Sequence, residues 1–345
     1  MEQTQYADRY TSITKQRLGI LIGLSLILIA SILLATPTAQ VSVSLSDVIQ
    51  VLLSKIPFLD QEADPNNTAI IWEIRLPRIL MAVIGGFGLA ISGAATQGVL
   101  RNHMASPFTL GISSAACLGS VLAIFLNIEI AGSDKLAIVA SSFLCGMGAL
   151  LVIYYVSRKR GASPETVILC GIALMLMFLA ISSSLSSGGR LGLLLWGSLR
   201  DISWDTIYIV LIIIVITLPF IIRRSLALNA LALGDDVAQG VGVKSRRVRF
   251  ITMVYATLIV SAIVSFTGLI GFICLIAPFI ARRIMGNDYR FIFPCAGLLG
   301  ALILLGLDTI GRNLIPSVDI PVAFLATIVG VPFLIYITLT NRGYA

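Results

Sequence analysis

The segment from Arg75 to Gly111 reads RLPRILMAVIGGFGLAISGAATQGVLRNHMASPFTLG, and it decides the fold. From 78 to 100 it is long and apolar enough to cross a membrane, which takes about 20 such residues in a helix. Small residues recur in it at every fourth position, namely Ala82, Gly86, Ala90, Ala94 and Gly98. Such a stripe lets a second helix approach closely. The segment therefore predicts a transmembrane helix at the centre of a bundle.

The composition extends this prediction to the whole chain. Of the residues, 57% are hydrophobic and 12% are charged, and the mean hydropathy is +0.99. Soluble domains have about 25% charged residues, so most of this surface must face lipid. The five cysteines form no C-x-x-C pair, and His103 is the only histidine. The sequence therefore predicts no disulfide framework, no metal site and no catalytic residues.

Ten apolar stretches are candidate membrane spans. They are 18–36, 78–100, 107–127, 136–157, 165–186, 204–222, 248–268, 270–285, 291–311 and 321–340. The first is longer than the 7–15-residue core of a signal peptide, so we interpret it as an uncleaved helix. The prediction is an all-α polytopic membrane protein, with one ten-helix domain at 18–340 and short cytoplasmic tails at 1–17 and 341–345.

The basic residues orient these spans. With the N-terminus inside, seventeen of the 24 Lys and Arg residues fall on the cytoplasmic side. The seven on the other side are Lys55, Arg75, Arg78, Lys135, Arg190, Arg200 and Arg312. The positive-inside rule then predicts that both termini are cytoplasmic. It also explains the net charge of +7 without a nucleic-acid partner.

A few residues match at an offset of 171: Arg78 with Arg249, Thr96 with Thr267, and the Pro-Phe pair at 107 with the pair at 278. The two copies would be separated by five spans and so would have opposite directions. The matches therefore predict an inverted internal repeat, which is common among transporters.

The longest cytoplasmic connection, residues 226–243, reads as two short helices. Gly234 ends the first helix, Asp235 and Asp236 begin the second, and Gly240 and Gly242 follow it. Carboxylates suit a helix N-terminus. Its leucines are too apolar for a free loop, which predicts a docking surface for a protein partner. The alternative is a loop folded back onto its own bundle.

Several function classes are disfavoured by missing chemistry. The sequence has no G-x-x-x-x-G-K-[ST] motif, so it predicts no nucleotide site in this chain. Asp308 is the clearest carboxylate within a span, and we expect it near the interface beside Arg312. Ion-coupled carriers usually place carboxylates or histidines at mid-membrane depth. Such a carrier remains an alternative, as does a membrane scaffold that transports nothing.

Several stretches, in order along 18–340, resemble the permease family of bacterial ABC importers for iron-siderophores, haem and cobalamin. They include RLPR at 75–78, SGA at 92–94, RN at 101–102, WGSL at 196–199, GD at 234–235, GVGV at 240–243, GLIGFICLIAPFIAR at 268–282 and GVPF at 330–333. Two departures stand out. Phe279 occupies a position that is usually His in the family, and His103-Met104-Ala105 replaces a frequent Pro-Leu-Ala.

The resemblance implies a permease subunit in the bacterial cytoplasmic membrane that translocates an iron-siderophore complex, with haem or cobalamin as alternatives. It implies two ATPase subunits, which would bind the ATP and Mg, while this chain would bind no cofactor. A second permease subunit, identical or paralogous, and an extracytoplasmic binding protein would complete the importer.

The resemblance also implies three groups of site residues. ATPase docking is expected at Leu231, Gly234, Asp235, Asp236, Ala238, Gly240 and Gly242. The binding protein is expected to dock at Arg75, Arg78 and Arg312. The candidates for the translocation path are Gly93, Gln97, Ser183, Ser187 and Pro278.

Overall fold

The computed structural model describes residues 2–38, 44–55, 64–158, 164–186, 189–315 and 319–340. Apart from one isolated bridge between Ile130 and Ser133, the regular secondary structure in these ranges is helical. The all-α prediction is therefore confirmed.

The helices have the following bounds: α1 Glu2–Ala35, α2 Leu45–Ser54, α3 Pro65–Thr68, α4 Leu76–Leu100, α5 Ile112–Phe125, α6 Asp134–Ser157, α7 Pro164–Leu185, α8 Gly189–Trp196, α9 Trp204–Ile222, α10 Ser225–Ala232, α11 Asp235–Gly240, α12 Ser245–Thr267, α13 Ile273–Met285, α14 Tyr289–Asn313 and α15 Val322–Thr340. A π-helical stretch, Ala69–Arg75, joins α3 to α4.

Seven helical segments within the described ranges are long and apolar enough to cross a membrane. They are Thr11–Ala35, Pro65–Leu100, Asp134–Ser157, Thr166–Leu185, Trp204–Ile222, Ser245–Thr267 and Tyr289–Asn313. At the third, eighth and tenth predicted spans the structure has helices too, but α5 and α13 are shorter than a full crossing, and the apolar segment found in α15 is Val322–Ile337.

The sequence-based boundaries differ from the structure in two places. Helix α1 begins at Glu2 rather than at 18, because the polar residues before the apolar run continue the same helix. The sequence analysis also missed α2 and α8, which are too short to register as spans. Helix α2 is amphipathic, and its Val48 and Val51 pack against Ile71.

Helix α4 is the centre of the bundle, as its small-residue stripe predicts. It packs against α14, α12, α13 and α9. At its crossing with α14, a Cβ added to Gly86 would overlap the carbonyl oxygen of Gly300, and a Cβ on Gly300 would overlap that of Gly86. Glycine at both positions therefore permits the close approach of the two backbones.

The predicted break between the seventh and eighth spans separates α12 from α13. Gly268 has φ 71°, a left-handed conformation that glycine adopts readily. The break packs against the end of α8: Leu269 N donates to Leu194 O at 3.1 Å, and Ser198 N donates to Thr267 O at 2.8 Å.

The predicted repeat remains a prediction. Arg78 and Arg249 both lie near the N-terminal ends of their helices, α4 and α12. Pro107, however, lies in the connection before α5, whereas Pro278 lies inside α13. The Pro-Phe pairs thus occupy different local structures.

Candidate functional sites at the two ends of the bundle

Five charged residues meet at the end of the bundle where α4 begins, and we call them the ionic cluster: Arg75, Arg78, Asp308, Arg312 and Asp319. Arg78 Nε donates to Asp308 Oδ1 at 2.9 Å. The other guanidinium nitrogens of Arg78 bond both oxygens of Asp319, at 2.7 and 2.8 Å. Arg312 pairs with Asp308 from one helical turn away, at 3.0 Å. This end is therefore crosslinked by ion pairs among α4, α14 and the segment before α15.

The three arginines predicted to dock a binding protein lie together, but their side chains are turned inward. Arg75 is 4% exposed, Arg78 8% and Arg312 6%. Arg75 donates to the backbone carbonyl oxygens of Thr36 and Pro37 at 3.0 and 3.2 Å. Their hydrogen-bond and ion-pair acceptors are backbone carbonyl oxygens, carboxylates and the Thr309 hydroxyl of neighbouring segments.

The two aspartates of the ionic cluster differ in exposure. The Asp308 side chain is fully buried, whereas that of Asp319 is 22% exposed. Asp308 lies beside Arg312, as predicted, yet it is not an exposed interfacial residue. Burial raises the pKa of Asp319, but the hydrogen bonds and charge of Arg78 outweigh this and hold its pKa below the usual value. Asp319 is therefore charged at neutral pH.

At the opposite end of α4 lies the loop of residues 226–243, with its two helices α10 and α11. We call it the docking loop after the role predicted for it. Leu228, Leu231 and Ala238 are fully buried and hold the loop against the bundle. Leu226, Leu233 and Val241 point outward and are 63%, 74% and 67% exposed. One face of the loop therefore folds back onto the bundle and the other is apolar and exposed, and docking of a partner on the exposed face remains a prediction.

The predicted ATPase-docking residues fall on both faces of this loop. Leu231 and Ala238 are anchors, while Asp236, Gly240 and Gly242 are exposed. Gly234 and Gly242 have φ values of 127° and 81°, so each adopts a conformation that a side chain would strain. Their role is to turn the chain at the ends of α11.

Asp235 fastens the docking loop to two helices of the bundle. Its Oδ1 pairs with Arg249 of α12 at 2.8 Å and with Arg101, just after α4, at 2.5 Å. Arg101 caps α4 in a left-handed conformation, and its backbone N–H bonds to the carbonyl oxygen of Gln97. Asp235 is therefore already paired within the chain.

A second attachment of the docking loop was not foreseen from the sequence. Asn229 Nδ2 donates to Asp288 Oδ1 at 2.8 Å, and Asn229 Oδ1 accepts from Tyr289 N at 2.9 Å. Desolvation raises the pKa of Asp288, but hydrogen bonds from Arg290 and Asn229 outweigh it, and the pKa falls to about 2. The Asn229 amide thus bonds both the carboxylate of Asp288, the N-cap residue of α14, and the first backbone N–H of that helix.

Three path candidates cluster where α4 meets α13, inside the chain. A Cβ on Gly93 would overlap the carbonyl oxygen of Cys274, so this glycine permits the contact. Gln97 accepts from Arg282 Nη2 at 3.1 Å, and Pro278 is buried in α13. Ser183 lies apart, exposed near the end of α7. Ser187 lies outside the described residues.

A metal site was not predicted from the sequence. Over the ranges that the structure describes, no three His, Cys, Asp or Glu side chains come together as metal ligands.

The sequence pattern of the FecCD transport family matches residues 27–340. The chain belongs to the FecCD transport family. A chain of Methanocaldococcus jannaschii assigned as an ABC transporter permease is 32% identical over 346 residues, 96% of this chain and 97% of that one. The Fe(3+)-citrate import system permease of Bacillus subtilis is 35% identical over 273 residues, covering 78% and 81%.

The fold agrees with this assignment. An inward-facing structure of a transporter assigned to the metal-chelate ABC type has a TM-score of 0.77 and 27% identity, covering 93% of this chain and 99% of that one. This FecCD-family chain is thus the permease subunit of a metal-chelate-type ABC importer and a multi-pass protein of the cytoplasmic membrane. Family members are transport components rather than enzymes, and an ABC importer permease works with ATPase subunits and a binding protein.

The sequence singled out Asp308, Arg312 and Arg78 but paired Asp308 with Arg312 alone, because Arg78 and Asp308 are 230 residues apart. Asp319, Asn229 and Tyr289 carried no local signal. Their contacts depend on the packing of α10 against the start of α14 and of the segment before α15 against α4.

Proposed function

We propose that this permease moves a ferric siderophore or a similar iron chelate across the membrane through ten crossing helices, with both termini in the cytoplasm. The permease of Bacillus subtilis for Fe(3+)-citrate, at 35% identity, supports an iron chelate as substrate. The excess of Lys and Arg on the side of the docking loop supports the orientation. The shorter helices α5 and α13 would complete their crossings with the adjoining connections.

Two ATPase subunits, carrying ATP and Mg, would dock on residues 226–243. The observation that carries this proposal is the uncovered apolar face of Leu226, Leu233 and Val241 on a loop anchored by buried leucines. An anchored loop transmits force, and exposed apolar side chains of this kind mark protein contacts. Asp236, Gly240 and Gly242 are the predicted docking residues that share this outer face.

The binding protein would dock at the end that carries the ionic cluster. Arg78 forms a bidentate ion pair with Asp319, the more exposed of its two aspartate partners. An acidic side chain of a binding protein would therefore compete with Asp319 for the same guanidinium. Arg75 and Arg312, which are held more deeply, would shape this surface through the cluster.

The path would run between this permease and a second, identical or paralogous one. Ser183, exposed near the end of α7, supports a lining role on that face. Gly93, Gln97 and Pro278 would lie behind the surface of the path and would act by setting how α4 and α13 pack.

The test is uptake into proteoliposomes that contain the permease, its ATPase and an external binding protein. Radiolabelled ferric citrate, a ferric hydroxamate, haem and cobalamin would be compared. We expect accumulation of a ferric chelate only with ATP and all components present. ATP-driven uptake of haem or cobalamin alone would replace the substrate and keep the mechanism. Uptake without the ATPase that collapses with the proton gradient would establish an ion-coupled carrier instead.

A further inference from the structure

Four residues form a continuous hydrogen-bonded chain from the docking loop to α4: Asn229, Tyr289, Arg282 and Gln97. Tyr289 joins it through its backbone N–H on one side and its hydroxyl on the other. The first link joins α10 to α14. Asn229 uses both ends of its amide there, accepting from Tyr289 N and donating to the Asp288 carboxylate. Leu228 and Leu231 of the same helix are fully buried, so α10 is packed against the bundle where it bonds the first turn of α14.

The second link joins α14 to α13. Tyr289 is 2% exposed. Its hydroxyl accepts from Arg282 Nη2 at 3.0 Å, and the Arg282 guanidinium lies 5.2 Å from the centre of its ring. A Cβ on Gly98 would fall 2.6 Å from this hydroxyl oxygen. The glycine in α4 therefore leaves the space that the Tyr289 hydroxyl occupies.

The third link joins α13 to α4. The same Nη2 of Arg282 donates to Gln97 Oε1 at 3.1 Å, and Gln97 is 1% exposed. The backbone carbonyl oxygen of Gln97 accepts the N–H groups of Arg101 and Asn102. Arg101 in turn pairs with Asp235. The chain of contacts therefore closes on itself, leaving the docking loop at Asn229 and returning to it at Asp235.

We propose that Asn229, Tyr289, Arg282 and Gln97 are positioning residues that transmit movement of the docking loop to the contact between α4 and α13. This inference rests on the proposed function, because it assumes that an ATPase moves the loop. Arg282 is the branch point, since one of its nitrogens bonds both Gln97 and Tyr289. Rotation of α10 would pull α14, and through Arg282 would change how α13 lies on α4.

A purely structural role would stabilise the bundle but leave the coupling of ATP hydrolysis to transport unchanged. The two roles separate in the number of substrate molecules moved per ATP hydrolysed. A merely destabilised permease loses hydrolysis and transport together, whereas a permease with a broken link continues to hydrolyse ATP and transports less. The physical evidence for coupling is a change in what the two sites do together, so this ratio is the measurement that decides between the two roles.

The experiment uses the full ATPase–permease complex with its binding protein in proteoliposomes. The substrate is ferric citrate, or whichever of the four compounds above the wild-type vesicles accumulate. Tyr289→Phe removes only the hydroxyl, and Gln97→Leu removes the acceptor while keeping the volume. Gln97→Glu restores an oxygen acceptor for Arg282. Tyr208→Phe on α9 and Gln50→Leu on α2, both exposed, are the matched controls.

We expect Tyr289→Phe and Gln97→Leu each to lower transport per ATP about fivefold or more, the lower end of typical coupling between sites. Hydrolysis should stay within about twofold of the wild type in the same vesicles. Gln97→Glu should keep the wild-type ratio, and so should both controls. The double variant should be no worse than the single variants, since residues of one network are not additive.

An unchanged ratio in Tyr289→Phe, or a parallel loss of hydrolysis and transport in both variants, would overturn the inference. Should Gln97→Leu fail to assemble, Tyr289→Phe decides alone. Wild-type vesicles that show no ATP-driven uptake would refute the proposed function itself, which keeps the two failures distinguishable.

Discussion

The two ends of α4 differ in which side chains are buried and which are exposed. At the ionic cluster, four of the five charged residues are ion-paired and Arg75 bonds backbone carbonyl oxygens, so this end is closed. At the docking loop, the charges are partly exposed and apolar side chains are left uncovered. In this permease, therefore, charge holds the chain together at one end, while apolar surface offers a contact at the other.

The largest effect is expected at the closed end. Asp308→Ala leaves Arg78 and Arg312 without their shared carboxylate, and removing one partner of a buried ion pair costs about 3–5 kcal/mol. Unfolding of the purified permease in detergent measures the loss. The exposed Asp201 provides the control, and Asp201→Ala should change the free energy of unfolding by less than about 0.5 kcal/mol. Equal effects would show that the cluster does not hold this end closed.

The close contact between α4 and α13, between the two ends of α4, can be tested at Gly93. Gly93→Ala inserts a methyl group where the Cys274 carbonyl oxygen lies. Because backbone cannot move aside as a side chain can, we expect a loss of about 3 kcal/mol, the upper part of the usual range for overpacking. Gly306→Ala in α14, which meets no atom within 4 Å, should be tolerated. A Gly93→Ala permease as stable as wild type would refute this close contact.

Substitutions on the exposed face of the docking loop should weaken binding of the ATPase and leave the free energy of unfolding nearly unchanged. Leu233→Ser with Val241→Ser removes two exposed apolar side chains, so unfolding should shift by no more than about 0.5 kcal/mol. The Kd for the partner ATPase should rise about tenfold or more, since full burial of a Leu or Val side chain in a contact contributes about 1.5–3 kcal/mol. Leu126→Ser, exposed at the other end of the bundle, should leave the Kd unchanged. Wild-type affinity in the double variant would place the ATPase elsewhere.

The smallest effect is expected at Asp235. Its side chain is 44% exposed, and exposed ion pairs contribute about 0–1 kcal/mol. Asp235→Ala should therefore cost less than about 1 kcal/mol of unfolding free energy. The difference from wild type should shrink as salt rises from about 0.15 M to 1 M, because screening shortens the reach of exposed charges. A loss as large as that of Asp308→Ala would erase the contrast between the two ends.

Much of this architecture follows from local sequence signals. The stripe in α4 predicted a central helix, the glycines at 234, 240 and 242 marked the two-helix docking loop, and the break after α12 was visible as Gly268. Short amphipathic helices such as α2 were not predicted, because they contain no long apolar run.

The candidate sites were harder to predict, for a physical reason. The sequence shows that Arg78 is basic, but its burial depends on Asp308 and Asp319, which only the packing of distant helices brings near. For the same reason Leu231 and Leu233 look alike in the sequence, although one is buried and the other is 74% exposed. The face of a helix that is covered is a property of the tertiary structure.

The pairing of Arg78 with Asp308 also has a consequence for synthesis. The ribosome makes Arg78 long before its partners, which lie 230 and 241 residues further along the chain. At about 5–20 residues per second, roughly 10–50 s pass between the synthesis of Arg78 and that of these two carboxylates. During that interval the nascent chain carries an uncompensated charge on its central helix. Closure of this end is therefore among the last events in the biogenesis of the permease, and truncated chains cannot complete it.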